Sequence, residues 1–99
     1  MKYFVSYTTR DKEITTDLLR QFSKKLEKQG EVFIDLLHND SIDKQSRVLQ
    51  ELDSSDVMIL IETETVYQSE WVVFEIEQAN SIPIPIQRIK VNQLDQFTF

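Results

Sequence analysis

The run Val57-Met58-Ile59-Leu60-Ile61, bounded by Asp56 and Glu62, constrains the fold more than any other segment. Five apolar residues with no polar position among them describe a strand covered on both faces, since a half-exposed strand would alternate. Such a strand needs a layer above it and a layer below. The rest of the chain offers those layers. Tyr3 to Tyr7 is a second short β-prone run, Glu31-Val32-Phe33-Ile34-Asp35 a third, and Ile82-Pro83-Ile84-Pro85-Ile86 a fourth. The two prolines cannot donate to a ladder, which marks the fourth strand as an edge or as a partly unpaired one.

Helical patterns fill the intervals. After the first strand, Thr8 or Thr9 is placed to cap a helix, and Thr8-x-x-Asp11 resembles a capping box. Ile14, Leu18, Leu19, Phe22 and Leu26 share one face of that helix. Lys24, Lys25 and Lys28 lie in its last turns, where cations oppose the dipole. Gly30, the only glycine in the chain, falls where a left-handed C′ residue is wanted. A polar loop from Leu36 to Asp43 follows the second strand, and Asp40 or Ser41 can cap a helix bearing Val48, Leu49 and Leu52 that ends at Ser54-Ser55. Ser69 caps a third helix, with Glu70 in its first turn and an end near Asn80. The order is β-α-β-α-β-α-β with a tail ending Phe97-Thr98-Phe99. Right-handed crossovers then predict α/β architecture, a parallel sheet sandwiched between helices, in one doubly wound domain spanning 1–99.

Composition removes several function classes. There is no cysteine, hence no disulfide frame, thiol chemistry or Cys-based metal site. His38 stands alone in a polar loop, is expected to be exposed, and receives no role; no metal site is expected. The net charge of −6 argues against nucleic acid as partner. No segment reaches membrane-spanning length and the N-terminal apolar run is too short for a signal peptide, so the expectation is a cytoplasmic protein with no membrane partner. The charge is also polarised. Between Arg47 and Arg88 there is no Lys or Arg but eight Asp or Glu, whereas basic residues gather from Arg20 to Lys28. That polarity suits a head-to-tail protein contact, although an uneven surface is more often just an ordinary solvated one.

In sheets of this kind ligands bind beyond the carboxyl ends of the strands. The pattern places Ser6 to Arg10, Asp35 to Asp43, Glu62 to Gln68 and the start of the Trp71 helix at that rim. No glycine fingerprint or phosphate loop is present. Within Ser69-Glu70-Trp71-Val72-Val73-Phe74-Glu75, Trp71 and Glu75 stand four apart, which puts them about 40° apart on one helix face. A carboxylate held beside an aromatic wall can stabilise a cationic transition state. It can also be an ordinary solvated helix acid.

Phe4-Val5-Ser6-Tyr7, Val32-Phe33-Ile34-Asp35, Ser54-Ser55-Asp56 before an apolar strand, Tyr67-Gln68-Ser69-Glu70-Trp71-x-x-x-Glu75 and Ile82-Pro83-Ile84 together resemble a Toll/interleukin-1 receptor (TIR) domain, over about Tyr3 to Val91. The resemblance implies a flavodoxin-like three-layer sandwich with strand order 2-1-3-4, lacking the usual fifth strand. It further implies either cleavage of NAD+ at the nicotinamide–ribose bond, by hydrolysis or cyclisation, or an adaptor that signals through TIR–TIR contacts, homo-oligomers included. On the enzymatic branch it makes Glu75 the catalytic carboxylate. Ser6, Tyr7, Thr8, Thr9, Arg10, Asp35 and Trp71 then border the substrate, with Trp71 packing the pocket wall or stacking on the ligand. The loop from Leu36 to Asp43 becomes a lid or a contact to a neighbouring molecule. NAD+ would be a substrate, with no separate cofactor. A nucleoside 2-deoxyribosyltransferase-like enzyme, with a related sheet and a Glu in a similar place, is a further alternative.

Overall fold

A computed structural model describes residues 1–96; the Phe97-Thr98-Phe99 tail lies outside the described residues. Four parallel strands form one sheet, as the sequence predicts, in the order β2-β1-β3-β4 that the resemblance implies: β1 Lys2–Ser6, β2 Glu31–Phe33, β3 Val57–Glu62 and β4 Ile86–Lys90. Met58, Ile59, Leu60 and Ile61 of β3 are fully buried, so this strand is covered on both faces. On one face Tyr3, Val5, Ile59 and Ile61 pack under Leu19, Phe22 and Leu26 of α1 (Thr16–Glu27). On the other, Phe4, Phe33 and Met58 meet Val48 and Leu52 of α3 (Lys44–Asp53) and Ala79 of α4 (Glu70–Ser81), while Leu60 meets Val72. The architecture is α/β in three layers.

Several element ends differ from the sequence reading, each for a physical reason. The first helix is capped by Thr15, whose side chain accepts from the Leu18 N–H at 3.1 Å, and not by Thr8 or Thr9. Asp11, the acid of the supposed capping box, is engaged elsewhere: its carboxylate accepts from the N–H and hydroxyl of Thr65 at 3.2 and 2.7 Å. Ile14 is buried before the helix begins. Gly30 does not adopt a positive φ. Glycine is required there for space, because a Cβ would stand 2.0 Å from the carbonyl oxygen of Met1, which accepts from the Glu31 N–H at 2.9 Å.

The segment read as one polar loop after β2 begins with a short helix, α2 (Asp35–His38). His38 is half-buried rather than exposed, its Nδ1 accepting from the Ile34 N–H at 2.9 Å. The next helix is capped by Asp43, since buried Asn39 organises the preceding turn through Asp35, Ser41 and the Lys44 carbonyl. The fourth strand starts at Ile86, beyond the prolines that the sequence reading placed inside it. Pro85 contributes its carbonyl, accepting from the Met58 N–H at 3.0 Å, whereas a proline within the ladder would leave a rung unmade. The strand is nonetheless an edge.

Candidate functional site

Alternation along β1 puts Ser6 on the same face as Phe4, toward α3 and α4. From α4, the buried positions are Val72, Glu75 and Ala79, the spacing of a core-facing stripe. A carboxylate therefore occupies a place where the pattern calls for an apolar side chain. Glu75 is 4% exposed, and the Ser6 hydroxyl donates to its Oε1 at 2.8 Å across 69 residues of sequence. Burial disfavours the charged form and pushes its pKa up to about 7; the Ser6 bond and the Trp71 side chain oppose that rise, and the nearby Asp35 charge adds to it.

Glu75 lines a cavity of about 320 Å³ at the carboxyl ends of the strands, together with Tyr7, Thr8, Thr9, Asp35 and Trp71. Of the residues singled out from the sequence, Ser6 reaches this cavity through its bond to Glu75. Neither Ser6 nor Arg10 lines the cavity itself, and Arg10 has no such link: its guanidinium donates to the Gln68 carbonyl at 3.2 Å and the residue is exposed. Trp71 is not a core aromatic. It is 37% exposed, stacks on Phe74 with ring centroids 5.3 Å apart, and forms one wall. Val5, Leu36 and Ser69 also line the cavity, although the sequence reading gave them no ligand role. Ser69 carried a signal as the helix cap, which places it at the strand ends. Leu36 carried one too, as the first residue of the Leu36–Asp43 segment placed at the rim and read as a lid or a contact to a neighbouring molecule.

Tyr7 joins the parts. Its phenol oxygen accepts from the Leu36 N–H at 3.0 Å, tying α2 to the end of β1. Burial, with smaller contributions from the Asp35 and Glu75 charges, pushes the phenol up to about 12 against the opposing Leu36 bond. At neutral pH it stays protonated and can only lend its hydroxyl. The cavity is acidic: Asp35 and Glu75 line it, and among the described residues no Lys or Arg does. The Lys44 ammonium, like Arg10, is turned to a backbone carbonyl, that of Asn39.

Of two larger depressions, one of about 420 Å³ shares Leu36 with this cavity and one of about 570 Å³ lies elsewhere, but neither brings a buried carboxylate against a hydroxyl. Among the described residues no group of three or more His, Asp or Glu side chains is placed to hold a metal ion, and no helix is long and apolar enough to cross a membrane. A buried carboxylate able to exist in both protonation states, beside an aromatic wall and neutral hydroxyls, can offset developing positive charge or exchange a proton with a ligand. No protein-family model matches the chain, and no curated protein matches it in sequence.

Proposed function

We propose that this chain is a TIR-like enzyme that cleaves NAD+ at the nicotinamide–ribose bond, with Glu75 as the catalytic carboxylate. The observation that carries the reading is a carboxylate only 4% exposed, bonded to Ser6 and opening onto a cavity lined by Trp71. Rupture of the C1′–N bond sends its electron pair to the nicotinamide ring, which leaves neutral, and the ribose becomes an oxocarbenium-like cation. Ionised Glu75 offsets that charge. Water adds at C1′ and releases its proton, giving nicotinamide and ADP-ribose. The acidity of the cavity favours a substrate whose reacting base is a cation, as the pyridinium of NAD+ is. Its volume suits the nicotinamide–ribose half, with the remaining nucleotide outside. Tyr7, Thr8 and Thr9 supply hydroxyls for the ribose, and Trp71 a stacking surface for the ring.

Incubation of purified protein with NAD+ across a range of protein concentrations should release nicotinamide. Glu75→Gln should lower turnover by roughly 10²–10³-fold or more, the scale of losing one preorganised electrostatic group. No release at any concentration, or full activity in the variant, would sink the proposal. Release of free base from 2′-deoxynucleosides with none from NAD+ would favour the deoxyribosyltransferase-like alternative.

A non-catalytic contact module is favoured by a separate observation. Tyr67 and Val73 are exposed near the start of α4 and, with the acids Glu70 and Glu77, border a depression of about 290 Å³; Trp71 is exposed on the same helix. This reading predicts self-association, measured by sedimentation, that Glu75→Ala leaves intact and added salt weakens.

A further inference from the structure

A groove of about 420 Å³ runs between α1 and α2, and Leu36 lines both it and the Glu75 cavity. Leu36 is held from the cavity side by Tyr7, and its side chain is half-exposed between the two depressions. The two differ in charge. The cavity carries Asp35 and Glu75 without a cation, while the groove carries Arg20 and Lys24 from α1 and His38 from α2, with Glu27 also on its wall.

These groups have donors to spare. Among the described residues Arg20 has one ion pair, with Asp17 at 3.7 Å, and both side chains are well exposed, so that pair is weak. Lys24 has no ion pair among the described residues. Glu27 accepts from the Ser23 hydroxyl at 3.0 Å. Because Nδ1 of His38 accepts from the Ile34 N–H, a neutral imidazole there carries its proton on Nε2, which is then a donor. Arg20 and Lys24 stand four residues apart on one helix face, an arrangement of like charges that is unfavourable in an isolated helix and is relieved by an anion between them. A planar guanidinium, an ammonium and an imidazole N–H on one groove match the several oxygens of a phosphate.

We propose that this groove binds phosphate and takes the phosphate group of a substrate whose ribose and base lie across Leu36 in the Glu75 cavity. The substrate class is then a pyridinium nucleotide and not the free nucleoside. The substrate part rests on the cleavage reading given above; phosphate binding by the groove does not. A cavity lined by two carboxylates repels phosphate, so a substrate bearing one must lodge it outside, and the groove is the cationic surface sharing a wall with that cavity.

His38 is the only histidine in the chain, so its ring gives one unambiguous nuclear magnetic resonance signal. Inorganic pyrophosphate titrated into the full chain should shift that signal saturably, and Arg20→Gln/Lys24→Gln should abolish the shift. Both substitutions are at exposed helix positions, and circular dichroism checks that the fold is kept. The same double variant should raise KM for NAD+ about tenfold or more beyond any rise for nicotinamide riboside, as loss of charge-assisted bonds predicts. No shift of His38, or a shift that persists in the double variant, overturns the groove. Equal losses on NAD+ and on the riboside overturn its role as the phosphate subsite. Pyrophosphate binding without any NAD+ turnover leaves the groove standing and overturns the cleavage reading instead.

Discussion

Glu75 sits on the core-facing stripe of α4 where the helical pattern calls for an apolar residue, and this has consequences for both stability and activity. Its carboxyl ionises near 4.5 when unfolded and near 7 when folded, so the folded chain binds the extra proton between those values. Stability from this group is therefore full below about pH 4.5 and is lost as pH rises to about 7. Above that, the buried charge costs on the order of 3 kcal/mol. Glu75→Gln keeps the shape and an acceptor for Ser6. It should be more stable than the native chain at pH 8, by up to about 3 kcal/mol, with the gap closing near pH 4. Denaturant unfolding at the two pH values measures this, and a variant that is weaker at pH 8 would mean the carboxylate is well solvated in the fold. If ionised Glu75 is the working form, kcat/KM for NAD+ should rise with pH through a midpoint near 7. Removing the Ser6 donor with Ser6→Ala should move that midpoint upward, because the bond favours the charged form. The sequence shows the Trp71–Glu75 spacing but not the burial. Whether a helix acid faces water or core depends on which side of α4 meets β1 and β3, and a single helix pattern does not contain that.

At the scale of elements, the bodies of the helices and strands are legible and their ends are less so. Leu19, Phe22 and Leu26 fix the inward face of α1 wherever it begins. Its first residue is set by the Thr15 cap and not by Thr8-x-x-Asp11, whose Asp11 bonds instead to Thr65, 54 residues away. Thr15→Ala should cost about 1 kcal/mol, the usual worth of an N-cap. Gly30→Ala should cost about 1–3 kcal/mol by pressing a Cβ into the Met1 carbonyl and disturbing the hydrogen bond beside the first β1–β2 rung. Both appear as lower denaturant midpoints with unchanged slope. An undiminished midpoint for Gly30→Ala would show that the Met1 backbone yields freely. The Pro83–Pro85 stretch makes the same point for strands. Its alternating isoleucines mimic a strand, but the missing N–H groups delay pairing to Ile86.

At the scale of the whole molecule, one sheet joins everything. Phe4 packs on one face of β1 while Tyr3 and Val5 pack on the other, and β3 alternates in the same way, so neither layer can loosen without exposing the strands that serve both. Thermal unfolding followed by far-ultraviolet dichroism and by Trp71 fluorescence should therefore give coincident transitions; separated midpoints would mean the α4 side melts on its own. Charge is also arranged across the molecule. Lys2 and Arg47 converge on Glu51, while Asp35 and Glu75 line the cavity at the carboxyl ends of the strands without a cation. The layers and the strand count are legible in the residues alone, because an apolar run such as Val57–Ile61 is stable only when covered on both sides. The residues also mark most of the cavity wall, since Tyr7, Thr8, Thr9, Asp35 and Trp71 stand at the ends of strands or the start of a helix. The burial of Glu75 against Ser6, the bond of Arg10 to the Gln68 carbonyl and the place of Leu36 between an acidic cavity and a basic groove come from the packing alone. Those outcomes depend on which groups meet across 58 or 69 residues of chain, and burial and pKa are properties of such meetings and not of a residue's neighbours in sequence.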